Sequence, residues 1–197
     1  MYRQLLASLT AAAALLCCGV PAAAQEEAVR EAAVKAAFVY NFAKFTEWPA
    51  GRFRSETEPV TFCVGAASPM RDAIASLAGK TLEARPVRIA TVSDSADPQA
   101  CHLLFVDDSL PRLRHLAETD LNGVLTVSDL PNFARAGGAI GFVSSGAQLR
   151  FQINLTAAQR RGITFSSKLL RLAELIGQQS SLPGIVVISL RRVPSRL

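Results

Sequence analysis

At 197 residues, half of them hydrophobic and 19% charged, the chain is long enough for one domain with a sizeable core. Its net charge of +5 gathers nowhere except the tail, at Arg191, Arg192 and Arg196. No basic stripe with interleaved aromatics is present, so nucleic acid is not expected as a partner.

The first predicted element is an export leader. Arg3 supplies a positive start, Leu5 to Val20 is apolar apart from Ser8, Thr10 and Gly19, and Pro21-Ala22-Ala23-Ala24 ends in small residues before polar Gln25. This is the anatomy of a Sec-type signal peptide cleaved after Ala24. The apolar run is short for a spanning anchor, which needs ~20 residues. Lipoprotein processing at Cys17 or Cys18 is disfavoured, because Leu16 and Cys17 stand where a small residue is wanted. Removing 1–24 leaves a single domain, 25–197, with a net charge of +4 and two cysteines, Cys63 and Cys101. Two cysteines in an exported chain read as a disulfide; the alternative is two buried free thiols.

Downstream, the spacing of Val29, Ala32, Ala33, Ala36, Ala37, Tyr40 and Ala43 predicts a helix over 26–46. Phe38, Phe42 and Phe45 add a second apolar stripe, so this helix is expected to be buried on more than one side. Trp48-Pro49 and Gly51 stop it. Val60–Val64 reads as a strand, 69–77 as a helix and 86–92 as a second strand. Cys101–Val106 reads as a doubly covered central strand, and 110–118 as a helix capped by Asp107-Asp108-Ser109. Val124–Val127 is a fourth strand, followed by a short helical stretch over 130–135. Strands alternating with helices argue for an α/β sandwich with a mainly parallel central sheet and flanking helices. Ala139–Val143 and Gln148–Leu155 then form an antiparallel hairpin at one edge. A helix is expected over Lys168–Ile176, with Leu169, Leu170, Leu172, Ala173 and Ile176 inward. Pro183-Gly184 leads into Ile185–Leu190, a last strand without an assigned place.

Enzymatic motifs are missing from this pattern. Gly65-Ala-Ala-Ser68 lacks the glycine spacing of a nucleophile elbow, and no phosphate loop or H-E-x-x-H is found. With two histidines, His102 and His115, no zinc set assembles. His102 reads as a hydrogen-bonded strand histidine, and Asp107-Asp108 as a strand end with a cap. No catalytic residue, cofactor or metal is therefore assigned. What remains is surface. Arg150, Gln152 and Asn154 alternate on one face of the second hairpin strand, and Ser166, Lys168 and Arg171 open the following helix. Such an edge suits recognition of another protein; the alternative is a solvated outer face.

Four blocks, in order, are similar to the YfiR family. They are Val34-Lys-Ala-Ala-Phe-Val-Tyr-Asn-Phe-Ala-Lys-Phe-Thr-Glu-Trp-Pro49; Cys101-His-Leu-Leu-Phe-Val106; Val124–Asp129 with Gly137-Gly138; and Arg150–Leu155 with Ile163–Ala173. The resemblance covers roughly residues 30 to 176 and leaves 177–197 as a C-terminal extension. It implies a periplasmic, dimerising, non-enzymatic repressor that binds the periplasmic region of an inner-membrane diguanylate cyclase. An OmpA-like outer-membrane lipoprotein would relieve that repression, raising cyclic di-GMP and favouring biofilm. It also implies that Cys63–Cys101 is the structural bridge. The second cysteine pair of some members has no counterpart, since Phe142 and Phe151 occupy that region. A different class, a small-ligand-binding module using Trp48 and the phenylalanines, is the competing reading. An unrecognised enzyme using His102 or Asp107 is the third.

Overall fold

The computed structural model describes residues 22–115, 121–145 and 148–177. The expected leader falls almost wholly outside the described residues, and so does the expected strand over 185–190. Helix α1 (Ala22–Lys44) opens the described chain. Ala36, Val39, Phe42 and Ala43 are buried in it, while 23–31 are exposed. Only the second half of the helix therefore carries packing.

The elements after it are β1 (Thr46–Glu47), β2 (Val60–Gly65), α2 (Arg71–Ala75), β3 (Thr81–Leu82), β4 (Arg85–Val92), β5 (Leu103–Val106) and β6 (Leu125–Ser128). The hairpin β7 (Ile140–Ser145) and β8 (Gln148–Asn154) follows, then α3 (Leu155–Arg160), β9 (Thr164–Phe165), α4 (Ser167–Leu170) and β10 (Glu174–Ile176). Among the described residues eight strands form one sheet in the order β10-β8-β7-β6-β5-β2-β4-β3, and β1 pairs with β9 in a small second one. Five neighbours, β4-β2-β5-β6-β7, run parallel, and β10 is parallel to β8. The β7–β8 and β3–β4 pairs are antiparallel. The fold is the expected α/β arrangement with a mainly parallel sheet.

Side-chain alternation splits the core into two layers. Leu103 and Phe105 of β5 join Phe62, Phe42, Ile140 and Ile153 on the α1 side. Leu104 and Val106 face the other way, into a cluster with Cys63, Cys101, Leu110, Leu121 and Phe133. On the α1 side, Phe38 and Phe42 meet Phe142 and Phe151, with ring centroids 4.8–6.1 Å apart. Edge-on and tilted contacts of this kind add to the area they bury.

Several elements differ from the expectation. The helix over 110–118 contracts to a 3-10 turn, Pro111–Arg114, with 116–120 outside the described residues. The stretch over 130–135 forms turns rather than a helix. Helix α3 is an addition. Asn154 caps it, its Oδ1 accepting from the Ala157 N–H at 2.9 Å. The helix expected over Lys168–Ile176 is a single turn, α4, and the chain then enters β10. Leu172, expected inward, is 75% exposed in the turn between them.

Candidate functional site

In an open parallel sheet, ligands ordinarily bind beyond the carboxyl ends of the strands where the strand order reverses. Here that point lies between β2 and β5, and it is filled. Ser109 folds back so closely that a Cβ on Gly65 would lie 1.9 Å from its Oγ, and Leu110 is fully buried beside it. The buried Asp107 carboxylate accepts from the Ser109 N–H at 2.9 Å and from the hydroxyls of Ser109 and Ser68. Ser68 Oγ in turn accepts from the Met70 N–H at 3.1 Å. Asp107 thus ties two strand ends together, with its oxygens engaged by three donors. That is a structural role.

The opposite ends of the same strands carry a second constellation. Cys63 and Cys101 are bonded, with Cα atoms 5.8 Å apart, and both are buried. The segment after β1 folds over this bridge. Arg52 donates to the carbonyls of Gly123 at 3.0 Å, Gln99 at 2.8 Å and Cys101 at 2.6 Å, and the Trp48 indole donates to the His102 carbonyl at 3.2 Å. Phe53 stacks on the His102 ring, centroids 4.4 Å apart, and Arg85 lies 3.9 Å from the Phe53 centroid. His102 is 4% exposed, and its Nδ1 accepts from the Thr61 N–H at 3.0 Å. Burial, and then the charge of Arg52, hold the imidazole down to about 4. A neutral, sequestered ring of this kind organises structure rather than shuttling protons. Beside the constellation, Trp48, Phe53, Leu82, Glu47, Glu83 and Arg85 line a cleft of about 290 Å³.

The third region is the β8–β10 edge, where the sequence placed the recognition residues. Arg150 on β8, Lys168 in α4 and Arg171 just after it are exposed. Ser166 is half-buried, and its Oγ accepts from the Leu169 N–H at 3.4 Å as the cap of α4. Gln152 and Asn154 require correction. Both are only 8% exposed, because β10 runs alongside them, with Glu174 opposite Gln152 and Ile176 opposite Asn154. Asn154 is spent on structure, since its Nδ2 also donates to the Ala134 carbonyl at 2.7 Å. The register leads the chain into β10 from the Arg150 level of β8, which brings Arg171 and Leu172 to the same edge. Reading 168–176 as one helix hid this juxtaposition. Gly177, with φ +76°, marks the end of β10.

The profile of the YfiR/HmsC-like family matches residues 32–174, from the packed part of α1 to the start of β10. The chain belongs to the YfiR/HmsC-like family. In this YfiR-like protein Phe142 and Phe151 stand opposite each other in the hairpin and pack on α1. No curated protein matches the chain. Among solved structures it is similar to a conserved domain protein from Vibrio cholerae O1 biovar eltor, at 13% identity and a TM-score of 0.39. That similarity covers 61% of this chain, and the chain spans 55% of the Vibrio protein's length.

Proposed function

We propose that this YfiR-like protein is an exported repressor that binds the periplasmic sensor region of an inner-membrane diguanylate cyclase and lowers cyclic di-GMP output. The observation that carries this reading is the family match, which spans the packed body of the domain. A closed switch-point crevice, with Ser109 and Leu110 in place of a ligand, supports a binding rather than a catalytic role. The bridged cysteines and the leader-like N-terminus support export to an oxidising compartment. Among the described residues no helix is long and apolar enough to cross a membrane.

The docking surface we assign is the β8–β10 edge, with Arg150, Lys168 and Arg171 as its cations and Ser166 at its border. Their exposure next to Leu172 gives the mixture of charge and apolar contact that protein interfaces use. Capture of membrane proteins from the native host with the tagged chain tests the reading. A protein with diguanylate cyclase activity should be retained, and its absence from the captured set would sink the proposal. The cleft beside Trp48 and Phe53 favours a second reading, a small-ligand module without a cyclase partner. A metabolite released by denaturing the purified protein, together with no cyclase capture, would establish that alternative.

A further inference from the structure

We infer that the cleft walled by Trp48 and Phe53 binds a small organic amine, an ammonium group carried on an apolar body of single-ring size. This rests on the ligand reading of that cleft and adds the chemistry of the ligand. The cleft holds about 290 Å³, near the lower limit of small-molecule sites, which suits a ring with a short chain. Val60 and Leu82 are buried beneath it. Trp48 meets Phe53 edge-on, with centroids 5.7 Å apart. The indole is fixed by its bond to the His102 carbonyl, and the Phe53 ring by His102 and Arg85. These walls are set before a ligand arrives, so binding loses little free energy in ordering them.

A strained residue at the mouth points to the class of occupant. Glu83 and Ala84 make the two-residue turn between β3 and β4, with Leu82 opposite Arg85. Glu83 takes φ +53°, at the position where such a turn ordinarily has glycine. A glutamate in this left-handed conformation is less stable than glycine would be. Residues held in this way cluster at sites where the side chain serves a purpose beyond the turn. The Glu83 carboxylate lines the cleft, is exposed, and makes no hydrogen bond or ion pair with another described residue.

Glu47 supplies a second carboxylate from β1. One of its oxygens accepts from the Thr164 hydroxyl at 3.0 Å, and the other is free of partners among the described residues. Two cations also border the cleft. Arg85 is engaged by the carbonyls of Ser55 and Glu58 and by the Phe53 ring. Lys44 stands in the last turn of α1, where a cation offsets the carbonyl end of the helix. The charges left for an occupant are the two carboxylates. They would take an ammonium group through charge-assisted hydrogen bonds, beside an aromatic wall that a cation also favours. The same pair repels an anion. β3 and β10 are the opposite ends of the sheet, so an occupied cleft leaves Arg150, Lys168 and Arg171 free, and the inference does not depend on whether a cyclase docks there.

Trp48 is the single tryptophan of the chain, so its fluorescence reports from the cleft wall alone. The full exported chain is titrated with phenethylamine and with phenylacetate, which share a ring and a short chain and differ in charge. Phenethylamine should give a saturable change and phenylacetate none. Glu83→Gly, which suits the turn, should hold or raise the melting temperature and yet weaken phenethylamine binding at least ~10-fold. A side chain with a purely structural part would show the reverse, a lower melting temperature with binding unchanged. Glu47→Gln should weaken binding as well. Phenylacetate binding as tightly as the amine would overturn the inference while leaving a ligand cleft. No response to either probe would overturn both the inference and the ligand reading. Wild-type affinity in Glu83→Gly would overturn the inference.

Discussion

Acidification should destabilise this protein through His102, and the geometry sets both the sign and the size. His102 Nδ1 accepts from the Thr61 N–H, so the ring proton sits on Nε2, which has no hydrogen-bond partner among the described residues. A second proton on Nδ1 would face a donor already pointing at it. The folded ring is accordingly held at about 4, against 6.5 for a free histidine, by burial and then by Arg52. The folded pKa lies below the unfolded one, so the contribution to stability is fully present above 6.5 and is lost as the pH falls toward about 4. At pH 5 the linkage amounts to roughly 1–2 kcal/mol. Urea unfolding at pH 7.5 and pH 5 measures it directly. His102→Asn, whose side-chain oxygen offers Thr61 a non-titrating acceptor, should lose ~1 kcal/mol less over that interval than the wild type. Equal losses in the two proteins, or a His102 ring that titrates near the free value by NMR, would refute the reasoning.

Three further outcomes follow from the same structure. Replacing both bridge cysteines (Cys63→Ala with Cys101→Ala) opens a loop of 38 residues. It should cost ~4 kcal/mol on the loop-entropy model and lower the melting temperature by on the order of 10 °C in calorimetry. Asn154→Ala removes the α3 cap and the bond to Ala134 and should cost ~2 kcal/mol in denaturant unfolding, while cyclase binding persists in the folded fraction. Arg150→Glu with Lys168→Glu should weaken cyclase binding at least ~10-fold by surface resonance with an unchanged melting temperature, as both side chains are exposed. Unchanged binding would remove that edge from the interface.

Much of the sheet was legible because burial on both faces leaves a plain signature. Leu103 to Val106 are all buried, and the uninterrupted apolar run says so. The helix over 26–46 and the hairpin were readable by period, and the bridge from cysteine number once the leader is set aside. The failures concentrate after Asn154, where spacing misled. Leu169, Leu172, Ala173 and Ile176 fit a helical stripe, yet they belong to a single turn, a bend and an edge strand whose pairing with β8 is a tertiary event invisible to periodicity. That misreading placed Gln152 and Asn154 on an open face, since the strand that covers them was not recognised. Helix α3 did leave a signal: a capping Asn154, then Ala157, Ala158 and Gln159, and Gly162 at φ +69° to end it. The strand alternation of 148–155 overshadowed it.

Docking of a cyclase on the β8–β10 edge should change how much cyclic di-GMP that cyclase makes. Cyclic di-GMP synthesis by membranes carrying the captured cyclase, measured with and without the purified protein on the periplasmic side, addresses it most directly. The expected result is a saturable fall in synthesis that Arg150→Glu with Lys168→Glu relieves. Synthesis that stays constant at all concentrations of the wild-type protein would contradict it.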